Sequence, residues 1–168
     1  MRAKHFCFRT LFCLLVVGLC EACDERTLVH KAHLMPEAGW ARGDTIELQA
    51  CLNDSLLQAD LYIEVRHRFH YPYRNLPVAF RILPPDSLLL PPEQVNLLLA
   101  DSQGTWKGQG LNLLHQVTEK AGSIAIRRPG LYRFQLWHLL PDSLLPDVND
   151  VAIRLQRPNQ TLAPNEAK

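Results

Sequence analysis

Beyond residue 23 the chain has a single cysteine. Cys7, Cys13, Cys20 and Cys23 crowd the start, and only Cys51 lies in the body of the 168 residues. One thiol cannot staple a chain internally, so the fold must be held by buried apolar surface. Nor can a Cys-rich zinc set be built around it. Neither sign of charge is in excess: the formal net charge is +1, without the basic footprint of a nucleic-acid binder. No apolar run reaches the roughly 20 residues that a spanning helix needs. Glycine is outnumbered, eight to twelve, by proline, a balance that favours many connections over long elements. Repeats, low-complexity tracts and a G-x-S-x-G elbow are missing. The length suits one domain.

What is present begins with a leader. Arg2, Lys4 and Arg9 are followed by the apolar run Phe12 to Leu19, and Ala22-Cys23 then meets Asp24-Glu25-Arg26. A positive start, a short apolar core and a small residue before Cys read as an export signal ending in a lipobox. Cys20 and Glu21 depart from the usual lipobox residues. Cys23 is the expected lipidation site, and two or three acyl chains anchor a protein stably at about 0.8 kcal/mol per buried methylene.

The stretch from Ala59 to Leu83 carries the clearest pattern. Leu61, Ile63, Val65 and Phe69 alternate with Tyr62, Glu64, Arg66 and Arg68. After HYPYRN, Leu76, Val78, Phe80 and Ile82 alternate with Pro77, Ala79 and Arg81. Period-two alternation predicts two antiparallel strands with one buried face. Further strands are expected over 44–52, 94–100, 123–128, 131–139 and 150–156, and a short helical turn near Leu111 to Val117. The expected fold is all-β: a single antiparallel β-sandwich of about seven to eight strands behind a lipoprotein signal peptide. The expected division is a signal peptide over 1–22, then the lipidated Cys and a tether over 23–43. The β-sandwich follows over 44–157 and a flexible tail over 158–168.

Candidate sites are few. Tyr71, Tyr73 and Arg74 combine amphipathic area with a fork of donors, the residue types that dominate protein interfaces. Pro72 stiffens their connection, and the bland alternative has the tyrosines capping the core. Trp106, between Gly104 and Gly108, either meets a partner or plugs one end of the fold. His67, His70 and His138 lie without the nearby carboxylates of a metal or acid-base site, and His67 falls on the inward parity of its strand. No cofactor is expected other than covalent lipid on Cys23.

Four ordered segments together are similar to one family. RHRFHYPYRNL (66–76) resembles the R-x-x-x-x-Y-P-Y-x-N-L centre of the GldH lipoproteins of Bacteroidetes. LADSQGTWKGQGLNLLHQ (99–116) resembles their D-x-x-G-x-W-x-G-x-G segment, PGLYRFQLWHLL (129–140) their Gly-aromatic strand, and LPDVNDVAIRLQR (145–157) their closing strand. Asn112, Pro146-Asp147 and Ala152 depart from the usual residues. The resemblance implies a non-catalytic envelope lipoprotein. It would be an accessory or scaffolding component of a gliding-motility or associated secretion assembly, partnered by the membrane and other envelope proteins. A second reading is a glycan- or peptide-binding module with Trp40, Trp106 and Trp137 as stacking platforms.

Overall fold

The computed structural model describes residues 26–53, 55, 57–86, 90–111 and 113–159. Among them the fold is all-β and antiparallel. The strands are β1 (Thr27–Leu34), β2 (Trp40–Ala41), β3 (Ile46–Leu52), β4 (Leu57–Arg68), β5 (Asn75–Leu83), β6 (Glu93–Leu98), β7 (Gln109–Leu111), β8 (Leu114–Ile126), β9 (Gly130–His138), β10 (Leu144–Leu145) and β11 (Val148–Gln156). They form a five-stranded sheet in the order β1-β11-β4-β8-β7, a four-stranded sheet β3-β9-β5-β6 and a two-stranded ribbon β10-β2.

Alternation decides which side chains face inward. Leu61, Ile63 and Val65 of β4, Leu76, Val78 and Phe80 of β5, and Tyr132, Phe134 and Leu136 of β9 are all buried. With Val151, Ile153 and Leu155 of β11 they join one hydrophobic cluster that draws on both large sheets. Each such aliphatic side chain contributes roughly 1.5–3 kcal/mol on burial. Trp40 is buried as well, its indole N–H donating to the Asp44 carbonyl at 3.1 Å.

Three segments differ from the sequence expectation. The stretch read as a tether over 23–43 contains β1, which pairs with β11 from Thr27↔Gln156 to Leu34↔Asp150. Only Val29 of β1 is buried, so an edge strand held by backbone pairing carries almost no apolar signal. Among the described residues there is no helical turn near Leu111 to Val117. One strand, β8, runs instead through the whole of 114–126, paired with β4 from Leu57↔Ile126 to Arg68↔Leu114. A register shift opposite Leu61 and Tyr62 resets its parity midway, which scrambles period-two alternation. Phe69, placed on the buried face by parity, is 54% exposed, because β4 ends at Arg68 and the chain turns.

The connections sort by end. The β3–β4, β5–β6 and β8–β9 connections lie at the end where β1 begins and β11 finishes. The connections over 35–45, 69–74, 99–113 and 139–147 gather at the opposite end. That far end carries the candidate residues.

Candidate functional site

Backbone bonds knit the far-end connections together. The Arg68 N–H donates to the Asp147 carbonyl at 2.8 Å, and the Phe69 N–H to the Leu113 carbonyl at 3.1 Å. The carbonyl of Arg74 accepts from both Leu99 and Ala100, at 2.8 and 3.0 Å. Asp101 closes the Gly-rich loop: its Oδ1 accepts from the N–H groups of Gln103 and Thr105, each at 2.9 Å. Those bonds, led by Thr105, hold its carboxyl below the usual carboxylate range.

Beneath these loops lies an aromatic cluster. His67 is fully buried, and its ring meets Trp106 at 4.6 Å, Tyr71 at 5.4 Å and His115 at 5.5 Å between centroids. Nδ1 of His67 donates to the Arg68 carbonyl at 3.0 Å, while Nε2 has no partner. Burial pushes its pKa down, partly opposed by that bond. His138, packed edge-on against Trp40 at 5.2 Å, is buried without a well-formed hydrogen bond at either ring nitrogen; burial lowers its pKa, partly opposed by the nearby backbone of Trp40 and Ala41. Both are core histidines, as parity predicts for His67, yet not fully satisfied ones. No group of three or more His, Cys, Asp or Glu among the described residues is arranged to hold a metal ion.

The expected contact residues therefore divide. Tyr71 is 3% exposed, caps the core, and donates its hydroxyl to the Asn75 carbonyl at 3.3 Å. Burial pushes its phenol pKa well up. It supports the surface and contributes no contact area. Trp106 is half-buried, bridged through its backbone to Ala100 and laid on His67. Tyr73 is half-exposed, its hydroxyl donating to the Asp142 carboxylate at 2.7–2.8 Å, which raises its pKa. Arg74 is exposed. Cys23 lies outside the described residues.

Sequence reasoning missed the apolar part of this end. Leu34, Phe69, Leu98, Leu113, Leu139 and Leu144 are exposed there, and Leu113 reaches 71%. Among the described residues only Leu90 and Leu131 are comparable large exposed apolar side chains elsewhere. Phe69 and Leu113 adjoin through their backbone bond. The available signal was the apolar residue just past a strand end, which parity counting cannot use. Of the three tryptophans of the second reading, one is buried and two are partly exposed. Trp40 is buried, Trp106 lies half-covered, and Trp137 has the Arg81 guanidinium 5.9 Å from its ring.

The family model described as GldH lipoprotein matches residues 27–155. That span holds the HYPYRN connection, the Gly-rich loop with Trp106 and every strand except the last residue of β11. The chain belongs to the GldH lipoprotein family. As a GldH-type protein it is a membrane-anchored lipoprotein of the cell envelope. The family name ties it to the membrane and to gliding-motility machinery. No curated protein matches it. Two solved viral structures are weakly similar. One, of infectious bursal disease virus Gx strain, has 11% identity over 82% of this chain and 35% of that chain, with a TM-score of 0.35. The other, the subviral particle of that virus, has 12% identity over 83% and 35%, with a TM-score of 0.35. The chain spans about a third of either, and a likeness so weak bears on neither fold nor function.

Proposed function

We propose that this GldH protein is an accessory component of a gliding-motility or associated secretion-type assembly. Acylated Cys23 would hold it to the leaflet, and its far end would engage another envelope protein. In this reading the two large sheets are the faces of one β-sandwich. In support, β1 lies against β3 and β6 against β8, so the sheets meet near both margins of a shared core. Residues 1–22 are the signal peptide, 23–25 a short link, 26–157 the folded domain, closed where the Arg157 N–H donates to the Arg26 carbonyl, and 158–168 the tail.

The observation that carries the proposal is the polarity of the molecule. Four residue steps separate Cys23 from Thr27, a reach of at most about 14 Å. The end bearing Thr27 and Gln156 then sits against the membrane, and the end bearing Phe69, Leu113, Tyr73 and Arg74 points away. Exposed apolar side chains rimmed by an arginine and a tyrosine form the usual anatomy of a contact surface. Trp106 and Tyr71 brace it from beneath.

Affinity purification of the tagged protein from its host in mild detergent tests this. Defined envelope proteins are expected with the wild type. Phe69→Asp with Leu113→Asp should lose them while the protein stays in the membrane fraction. Cys23→Ser should release the protein from the membrane. Recovery of the chain alone in the wild type overturns the partner reading, and membrane retention of Cys23→Ser overturns the anchor.

A further inference from the structure

A second surface uses none of Phe69, Leu113, Tyr73 and Arg74. On the outer, solvent-side face of the five-stranded sheet, His30, Glu64, Gly108, Gln109, Gln116, Thr118 and Arg154 line a groove of about 510 Å³. It continues into a depression of about 120 Å³, which shares His30, Glu64 and Gln116 and adds Arg66, Asp150 and two alanines. Outward parity should leave Glu64 and Asp150 wet, yet they are 5% and 3% exposed.

The cause is a set of cross-strand charge-assisted bonds. Glu64 Oε1 accepts from Arg154 Nε at 2.5 Å, and Oε2 accepts from His30 Nε2 at 3.0 Å and Gln116 Nε2 at 3.3 Å. Asp150 pairs with Arg66 Nε at 2.8 Å and accepts from the Asn149 amide at 2.7 Å. Arg154 is also held from beneath by the Tyr62 ring, 5.1 Å away. Glu64, 5% exposed and already accepting three bonds, acts by orienting three neighbours drawn from β1, β8 and β11.

What those neighbours leave free is a mixed array. The Nη donors of Arg154, Nδ1 of His30 and Oε1 of Gln116 have no partner among the described residues, nor do the side chains of Thr118 and Gln109. Both guanidiniums are matched by buried carboxylates, so the groove has no charge to offer an ion. The groove is lined by no large apolar side chain, and the depression adds only Ala32 and Ala152. It lies on a sheet face rather than an edge, so it presents side-chain groups and no free run of backbone N–H and C=O for an extended peptide. Interleaved donors and acceptors, three of them oriented by the buried Glu64, suit hydroxyls, which both donate and accept.

We propose that this groove binds a neutral oligosaccharide. Gln109, Gln116, Thr118, His30 and Arg154 supply the contacts, and Glu64 is a positioning residue. Neither the lipid anchor nor the partner surface enters this assignment. Calorimetric titration of the full chain in a sugar-free detergent tests it. The probes are chitotriose, maltotriose and cellotriose, with trigalacturonate and tetra-alanine as charged and peptide controls. Saturable binding of at least one neutral trisaccharide is expected. Gln109→Ala and Thr118→Val should each weaken it about fivefold, the loss of one hydrogen bond, with melting temperature unchanged. Arg127→Ala, on a distant turn, should leave it intact. Three outcomes overturn the proposal: silence with all three neutral sugars, affinity indifferent to both groove substitutions, or tighter binding of trigalacturonate or tetra-alanine.

Discussion

The imidazole of His67 meets the indole of Trp106 edge-on, with centroids 4.6 Å apart and ring planes at 61°. A strand residue from the centre of the sheet and a loop residue from the Gly-rich segment therefore share one contact. The indole covers one side of a histidine whose Nε2 has no hydrogen-bond partner. Trp106→Ala is expected to cost about 2 kcal/mol, below the usual range for a buried aromatic because the ring is half-exposed. It should also loosen the loop that presents Arg74. Urea denaturation measures the first effect, and hydrogen exchange at Leu99 and Ala100 the second.

The buried histidines set a pH dependence. Burial is the leading cause of the lowered pKa of both His67 and His138. The unfolded chain takes up those protons near pH 6.5, whereas the folded chain refuses them. Their contribution is therefore complete above about pH 6.5 and is lost as pH falls towards the folded values. Carboxylates with lowered pKa, such as Asp60, held by Ser123 and Lys120, begin to matter only nearer pH 4. Melting temperature should fall between pH 7 and pH 5. His67→Leu and His138→Leu should each flatten that slope, and an unchanged slope in both would assign it to other groups.

Gly108 is a backbone requirement. Its φ is +84°, and an added Cβ would lie 1.9 Å from the Gln116 carbonyl oxygen. Gly104 has the same φ but nothing within 4 Å of that position. Both glycine-to-alanine changes incur the left-handed penalty of roughly 1–2 kcal/mol. Gly108→Ala must in addition push β7 away from β8. Its denaturation midpoint should therefore fall well below that of Gly104→Ala; equal midpoints would mean that this close approach does not constrain the fold.

Glu64→Ala would leave Arg154 and His30 without their shared acceptor. A loss of about 2–3 kcal/mol is expected, at the low end for breaking a buried pair, because the Arg154 side chain is still 26% exposed. Replacing both by leucine, Glu64→Leu with Arg154→Leu, should recover most of the loss. A double-mutant cycle by urea denaturation reads the coupling, and additive effects would show that the pair does not act as a unit.

Phe69→Asp and Leu113→Asp alter side chains that already face solvent. Stability should stay within about 0.5 kcal/mol of wild type. Partner recovery should collapse. A large drop in melting temperature would instead make Phe69 a structural residue.

Much of the β fold was legible because parity is local. Leu61, Ile63 and Val65 point one way whatever the rest of the chain does, since successive side chains of an extended backbone alternate. The same holds for Tyr132, Phe134 and Leu136, and for Val151, Ile153 and Leu155. The candidate site was half legible. HYPYRN and Trp106 do meet at one end, but Tyr71 turns inward, and Phe69 and Leu113 turn out.

By itself, then, the sequence determined the inward faces of the central strands, the turns that separate them and the family to which the ordered motifs belong. Each is written within a few consecutive residues. Only the tertiary structure decided that β1 is a strand, because an edge strand is held by the backbone of β11 and needs little burial of its own. It alone decided that β8 runs unbroken past its register shift, because the long partner strand β4 supplies pairing on both sides. And it alone buried Glu64 and Asp150 on an outward face, because their arginine partners come from strands far away in the chain. Pairing across strands is a non-local energy, and local periodicity has no access to it.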